Sequence, residues 1–231
     1  MLVAALAVAA CTADVEADDG AEATDDVLAP AGVSASDLGA RIVAASLEAG
    51  TATAEVTADG GDGTVVAEVA YRFSESGVDL AARAQFSDGL LDAADLLLVD
   101  DELYVEVPAA YRVFVGTPWL RLPRDGGFAE QAESLLDSLA ASVPGEELVG
   151  SSASVSQGEP ERVDGDWCDP YEVAGPGTTI TYWLAADDLP CRVQAGGEQS
   201  PDATQVVTYR DWGGEVTIEA PADDEVGELA G

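Results

Sequence analysis

The chain has 231 residues, of which 45 are Asp or Glu and nine are Lys or Arg, so its formal net charge at pH 7 is -36. This balance leaves little positive charge to neutralise phosphates, which excludes nucleic acid as a partner and opposes electrostatic adhesion to anionic lipids. The sequence contains no His, which excludes Ser-His and Cys-His nucleophile pairs and His-ligated zinc. We expect no metal and no cofactor.

The chain begins with a short apolar segment that ends at Cys11. The three residues before this cysteine, Val-Ala-Ala, match the apolar-small-small pattern that precedes the acylated cysteine of bacterial lipoproteins. The pattern predicts a signal peptide at residues 1–10 and lipid attachment at Cys11, which would hold the exported protein on the outer face of the cell membrane. No basic residue precedes Arg41, so we expect the true translation start upstream. The alternative is a short hydrophobic start to a soluble domain.

Acidic segments flank the predicted domain. Residues 12–30 carry seven acids and no base or aromatic side chain, which predicts that Cys11 and these residues form a flexible tether. A partner-binding acidic tail is the alternative. The folded domain then covers residues 31–221, and residues 222–231 are an acidic tail.

The first periodic segment predicts a helix from about Ala35 to Ala49. Ser34 or Ser36 marks its start and Gly50 its end. The apolar residues on one face are Leu38, Ile42, Ala45 and Ala49, with Val43 and Leu47 widening the stripe. This helix is therefore expected to pack on an apolar surface.

From Thr51 the hydrophobic period changes to two, which is typical of half-buried antiparallel strands. The alternation runs through strands at 51–58, 65–73, 78–86, 93–99 and 103–107, with a further short strand at 119–122. Their inward positions are rich in Ala and Val. Such small side chains leave volume that either helices or a ligand must fill, and the pattern leaves both open.

Helical spacing returns between Gly127 and Val143 and ends at Pro144. Shorter strands follow from 148 to 220, the last at 215–220. The sequence thus predicts an α+β fold, with about ten antiparallel strands in a strongly bent half-barrel sheet and two principal helices.

The acids form no recognisable catalytic or calcium-binding pattern. The turns at 59–63 and 100–102 lack the spaced acid ladder of a calcium loop and are explained as hairpin turns. Acid pairs remain available to an enzyme acting on cell-wall sugars, but such an enzyme needs two acids in a cleft, one with a raised pKa. We expect no such pair.

Two cysteines remain if Cys11 is acylated. Cys168 and Cys191 flank the strand at 178–186. An even remainder in an exported chain predicts a structural disulfide, and two unrelated buried thiols are the alternative.

Two C-terminal segments, 179–193 and 204–221, resemble the actinobacterial LppX/LprG-like lipoproteins. The shared features are a Trp-bearing strand, an Asp-x-Leu-Pro turn and a final Tyr-x-x-Trp-Gly strand ending in Ala-Pro. The matching residues are Tyr182, Trp183, Asp187, Leu189, Pro190, Tyr209, Asp211, Trp212, Gly213, Ala220 and Pro221. The order of the first half also corresponds, with Leu103 to Pro108 and Trp119 before a helix.

The resemblance implies a LolA-like fold, in which helices close the concave apolar face of the half-barrel over a cavity for the acyl chains of lipids or lipoglycans. We therefore expect a non-enzymatic, lipid-anchored envelope protein that binds such a ligand for transport or presentation. The hydrophobic period alone selects candidate lining residues. These are Leu38, Ile42, Val56, Val65, Val69, Tyr71, Leu80, Ala82, Phe86, Leu96, Phe128, Leu135 and Leu139. The main alternative is a structural or interaction lipoprotein with a filled core.

Overall fold

A computed structural model describes residues 29–30, 32–60, 63–87, 93–122, 139, 143–197 and 200–228. These residues form one curled, almost entirely antiparallel sheet of fourteen strands with one long and one short α-helix and two single-turn 3₁₀ helices, Glu146–Leu148 and Asp223–Glu225. The helices are α1 (Ala35–Ala49) and α2 (Arg112–Val115). The strands are β1 (Ala29–Pro30), β2 (Thr51–Gly60), β3 (Gly63–Ser74), β4 (Gly77–Phe86), β5 (Ala93–Val99), β6 (Glu102–Glu106), β7 (Trp119–Leu122), β8 (Ser154–Gln157), β9 (Glu161–Val163), β10 (Asp166–Gly175), β11 (Thr178–Leu184), β12 (Pro190–Gly197), β13 (Ser200–Arg210) and β14 (Val226–Glu228).

Helix α1 begins and ends as its sequence predicts. The Ser34 hydroxyl accepts a hydrogen bond from the Asp37 backbone N–H at 3.1 Å, which satisfies one of the free donors of the first turn. Gly50 ends the helix in the left-handed conformation, with φ of +75°. The buried stripe runs through Leu38 and Ile42 and continues to Ser46, where the sequence suggested Ala45.

The sheet joins two meanders. Strands β2 to β7 follow one another, and so do β10 to β13, and the two sets are connected because β13 pairs with β2. Strand β8 lies beyond β10 at one edge of the sheet, followed by β1, while β14 pairs in parallel with β7 at the other. Residues far apart in sequence, such as Val56 and Val207, are therefore direct cross-strand neighbours.

The period of two gives the sheet two chemically different faces. In β2, Ala52, Ala54 and Val56 are buried on the face against which α1 packs, which we call the helix face. Thr53 and Glu55 point to the opposite side, which we call the groove face. The hydrophobic core therefore lies between α1 and the helix face.

Helix α1 lies close to the segment 143–149. A Cβ atom added at Gly39 would approach the backbone oxygen of Gly145 to 2.6 Å and the Cβ of Leu148 to 2.7 Å. Leu38 and Ile42 pack in one cluster with Leu148 and with Tyr182 of β11. The helix and this segment lie so close that only glycine, which has no Cβ, fits at position 39.

The C-terminal segment crosses the groove face and corrects one predicted strand. Residues 215–220 were predicted as a strand, but they pair with no neighbouring strand. Side chains of the sheet hold this part of the chain instead. Thr51 Oγ1 donates to the Gly214 oxygen at 2.7 Å, and an Arg72 nitrogen donates to the Ile218 oxygen at 3.1 Å. Ile218 is buried there. The chain then enters β14, within the range expected to be an acidic tail.

The count of elements also differs from the prediction. The described residues contain fourteen strands where about ten were expected, since short edge strands such as β1 and β14 carry no alternation of their own. The structure describes one long helix where two were predicted. The second predicted helix, 127–143, lies outside the described residues except for Leu139 and Val143, both of which are buried.

The predicted disulfide is confirmed. Cys168 of β10 and Cys191 of β12 are bonded, with their Cα atoms 6.6 Å apart. Strand β11 lies between these two strands in the sheet. The bond therefore ties two strands that are not direct neighbours.

Candidate functional site

The helix face carries rows of small and aliphatic side chains that run across the strands. The cross-strand register gives one row of Val193, Val207, Val56, Ala67, Ala84 and Ala94. The neighbouring row consists of Tyr209, Ala54, Val69, Ala82, Leu96, Val105 and Leu120. Five of these thirteen positions are alanine, and Val69 lies between two of them. Side chains therefore add little volume to this part of the helix face.

The structure brings most of the predicted lining residues together. Val56, Val69, Tyr71, Leu80, Ala82, Leu96 and Leu139 are buried in one cluster. Leu38 and Ile42 are buried in the second cluster beneath α1, while Val65 and Phe86 are half-buried at the margin of the first. Phe128 and Leu135 lie outside the described residues. Whether the members line a ligand cavity remains a prediction.

The described helix face is covered in this structure. Leu139 and Val143 are buried in the cluster with the β2 to β5 side chains, and Val43 and Leu47 of α1 pack against its margin. The predicted lining residues in the two clusters are at most 5 % exposed. A ligand that reaches this surface must therefore displace part of the packing above it.

An aromatic group lies at the end of the helix face next to α1. Tyr209 and Trp212 stack with ring centroids 5.2 Å apart, and Phe73 and Trp212 stack at 5.6 Å. The Trp212 indole N–H donates to the Pro190 oxygen at 2.9 Å. Two of these aromatics belong to the sequence motif of the C-terminal strand, and the structure gives them a packing role.

Tyrosine hydroxyl groups of this apolar interior form hydrogen bonds with polar partners. The Tyr71 hydroxyl donates to the Leu139 backbone oxygen at 2.5 Å. The Tyr182 hydroxyl donates to the Glu147 carboxylate. Burial raises the pKa of the Tyr71 and Tyr209 phenols, and partial desolvation raises the pKa of Glu147, an exposed residue at the margin of this interior, because each charged form loses hydration.

Two buried polar atoms among the described residues have no hydrogen-bond partner, the Ser46 hydroxyl and the Arg192 Nε. The Ser46 hydroxyl of α1 is fully buried and forms no hydrogen bond, a condition that is uncommon in protein interiors. Sequence reasoning missed both Ser46 and Glu147. The helical spacing gave a signal for Ser46, since it follows Leu38 and Ile42 at intervals of four, but its polar type masked it.

The groove face carries an open groove of about 700 Å³. Its floor crosses four strands at residues 53–55, 68–70, 81–83 and 95–97, and Glu106, Trp119 and Arg210 complete the lining. Small side chains, Ala70 and Ala81, occupy the centre. The alternation of the strands therefore places this groove on the side opposite to the predicted ligand surface.

Charged residues form a row along the groove. Glu55 lies opposite Glu68, Glu68 opposite Arg83, and Arg83 opposite Asp95. An Arg83 nitrogen lies 3.0 Å from an Asp95 oxygen. The row is thus partly neutralised within the sheet itself.

The groove also holds two neighbouring acids, Asp95 and Glu106, one of which has a raised pKa. The sequence analysis did not expect such a pair. Burial, followed by the hydrogen bond and the charge of Asp95, raises the pKa of Glu106. Arg112 forms an ion pair with the same carboxylate. Glycosidases hold their two carboxyl groups about 5 Å or more apart, with the scissile bond between them. Asp95 and Glu106 are instead each ion-paired with an arginine, Arg83 and Arg112 respectively, so the pair belongs to an ion-pair network.

Other site types find no support in the part of the chain that the structure describes. Within it, no group of three or more Cys, Asp or Glu side chains is arranged to hold a metal ion. Among the same residues, no helix combines the length and the apolar character needed to span a bilayer.

No protein-family model matches the sequence, and no curated protein matches it. Solved structures give weak similarities. MucB is 17 % identical over 85 % of this chain and 62 % of its own, with a TM-score of 0.46. MucB in complex with MucA gives 15 % identity, 81 % and 59 % coverage, and a TM-score of 0.45. A LolA superfamily protein from Nitrosomonas europaea gives 10 % identity, 78 % and 93 % coverage, and a TM-score of 0.31. This chain therefore spans about three fifths of MucB, and membership of the LppX/LprG-like family remains a prediction.

Proposed function

We propose that this chain is an exported, lipid-anchored envelope protein that binds a hydrophobic ligand, a lipid or lipoglycan, between α1 and the helix face. It acts in transport or presentation of that ligand and performs no catalysis. Each methylene of an acyl chain that leaves water contributes about 0.8 kcal/mol, so a long chain binds without a specific polar contact.

The observation that carries the proposal is the small size of the apolar side chains on the helix face. Ala54, Ala67, Ala82 and Ala84 are buried on the helix face of the central strands β2 to β4. A core that served packing alone could carry larger residues at such positions beneath a more distant covering segment. Small residues on a curled sheet instead leave room for an acyl chain once the covering layer separates.

Export and anchoring are supported by the cysteines. The bond between Cys168 and Cys191 is of the type that persists in oxidising compartments outside the cytoplasm. This agrees with the lipid-attachment pattern at Cys11. The segment between Cys11 and Ala29 spans at most about 60 Å, so an acylated protein keeps its domain close to the membrane surface.

The test is the lipid content of the protein purified from its own membrane. Organic extraction followed by mass spectrometry is expected to give a lipid in a fixed ratio to protein. The attached acyl chains stay with the polypeptide and do not enter the count. An extract without lipid, from protein that is folded and disulfide-bonded, refutes ligand binding.

Two neighbouring alanines of β4 supply a matched pair of variants. Ala82 is buried on the helix face, whereas Ala81 lines the groove on the other side. Ala82→Phe is expected to lower the bound lipid by filling the site, and Ala81→Phe is expected to leave it unchanged. If both variants retain the wild-type amount of lipid, the ligand does not bind at the helix face.

A second candidate function is that of a structural or interaction lipoprotein with a filled core. The observation in its favour is the near-complete burial of the predicted lining residues in this structure. It predicts a lipid-free extract. It also predicts that Ala82→Phe mainly destabilises the fold, by about 1–3 kcal/mol, because a packed core cannot accept the added ring.

A further inference from the structure

The loop between β6 and β7, residues 107–118, exposes a cluster of apolar side chains. Phe114 is 84 % exposed and Val113 is 81 % exposed, and Tyr111 and Val115 are exposed beside them. Across the described residues seven large apolar side chains are exposed, and four belong to this loop. Scattered apolar residues on a surface are ordinary, whereas a concentrated cluster indicates a contact surface.

The loop is held in shape by its own hydrogen bonds. Its two ends meet where the Val107 N–H donates to the Pro118 oxygen at 2.7 Å. Within α2, the Gly116 N–H donates to the Arg112 oxygen at 2.8 Å, and the Arg112 side chain returns to the Val107 oxygen at 2.9 Å. The apolar side chains are thus presented outward on a fixed turn, and they do not fold back onto the sheet.

The sequence around the loop has an exceptional charge pattern for this protein. Residues 107–124 form the longest stretch without Asp or Glu in a chain that contains 45 of them, and they hold three of its nine arginines. The apolar tip itself, 113–116, has no charged or polar side chain. Within this stretch, local charge does not oppose an approach to a lipid surface.

We propose that the β6–β7 loop inserts its apolar tip into the surface of a lipid bilayer. Backbone groups enter an apolar phase at lower cost when their hydrogen bonds are satisfied internally, and the N–H groups of Phe114, Val115 and Gly116 are bonded within the turn. Valine and phenylalanine side chains suit the acyl boundary, and Tyr111 and the arginines at the base suit the headgroup region. The proposal goes beyond ligand binding at the helix face and does not depend on it.

Vesicle flotation of the full chain tests the insertion. Cys11→Ser removes the acylation site, so that any remaining binding belongs to the folded protein. This variant is expected to float with vesicles of phosphatidylcholine and phosphatidylglycerol. Binding is expected to rise with salt, since screening weakens the repulsion between the acidic domain and the lipid while apolar insertion persists. Binding that falls with salt, or no flotation at any salt, overturns the proposal.

Substitutions at the tip identify the contact. Adding Val113→Ser and Phe114→Ser is expected to lower the vesicle partition coefficient at least about tenfold, since two apolar side chains no longer leave water. The matched control is Val149→Ser, which changes an apolar side chain that is 54 % exposed outside the loop. It is expected to leave partition unchanged.

Phe114→Leu, which keeps an apolar side chain, is expected to retain most of the binding. Thermal melts of all variants establish that each is folded, because every substituted side chain is already exposed. Equal partition of the double variant and the Val149→Ser control overturns the proposal. The same holds if the tip substitutions abolish self-association on gel filtration while flotation is unchanged, since the loop then contacts a second copy of the chain.

Discussion

Substitution of Gly39 by Ala tests how closely α1 is held over the helix face. Alanine favours a helix interior over glycine by about 1 kcal/mol, so propensity alone predicts a more stable protein. The added Cβ, however, would lie 2.6 Å from the Gly145 oxygen and 2.7 Å from the Leu148 Cβ. Neither atom is the end of a flexible side chain, so α1 and the segment 143–149 must move apart.

The magnitude follows from the two opposing terms. Overpacking of this kind costs about 1–3 kcal/mol, and two contacts to the main chain and a Cβ atom place Gly39→Ala at the upper end. Subtracting the helix gain leaves a net loss of about 2 kcal/mol. For a domain of this size that corresponds to a fall in Tm of about 4–8 °C.

The assay is calorimetric or optical melting of the purified, disulfide-bonded protein. Ala40→Gly is the control, because Ala40 is exposed on the same helix and should lose only the propensity term, about 1 kcal/mol. If Gly39→Ala melts at or above the wild-type temperature, the close packing of α1 on 143–149 is not maintained in solution, and the reasoning from the glycine contact is refuted.

Three further predictions concern the cysteines and Glu147. Replacing Cys168 and Cys191 together by Ser is expected to lower the free energy of unfolding by about 3 kcal/mol, since the bond closes a separation of 23 residues, and reduction of the wild type should match it in urea denaturation. Partial desolvation raises the pKa of Glu147, an exposed residue, above its ordinary value of 4.5, so the folded state binds this proton more tightly and the carboxyl destabilises the fold as pH rises through and above that value. Glu147→Gln is therefore expected to be more stable than the wild type at pH 7, with the difference shrinking towards pH 4; a constant difference at both pH values would assign the effect to packing. Cys11→Ser is expected to abolish incorporation of a palmitate analogue and to release the protein from the membrane fraction, while labelling that persists in the variant would contradict the anchor.

Much of the fold could be predicted from local sequence. The alternation through β2 to β6 determined which side chains are buried, because adjacent residues of a strand point to opposite faces. Ser34 and Gly50 set the limits of α1 through hydrogen bonding and backbone conformation, which are local properties. The short edge strands β1 and β14 were missed, since a two- or three-residue strand depends on a partner far away in the chain.

The candidate site was only partly predictable. The period correctly grouped Val56, Tyr71 and Leu96, but it could not show that Leu139 and Val143 would cover them. Asp95 and Glu106 lie on different strands, and only the pairing of β5 with β6 makes them neighbours across the sheet. Their interaction was therefore invisible in a sequence that contains acids throughout.

The sequence by itself determined the exclusions, the lipid-attachment pattern, the sidedness of each strand and the pairing of the two remaining cysteines, because each rests on residue type or short-range spacing. The tertiary structure alone decided three further features. The order of the strands placed β13 beside β2 and joined the two meanders. The route of the C-terminal segment over the groove face replaced a predicted strand, because side chains of Thr51 and Arg72 bind its carbonyl groups. The loop 107–118, which connects the paired strands β6 and β7, leaves Phe114 exposed to solvent. No local pattern of apolar residues could reveal this, because the exposure of a side chain depends on whether distant parts of the chain pack against it.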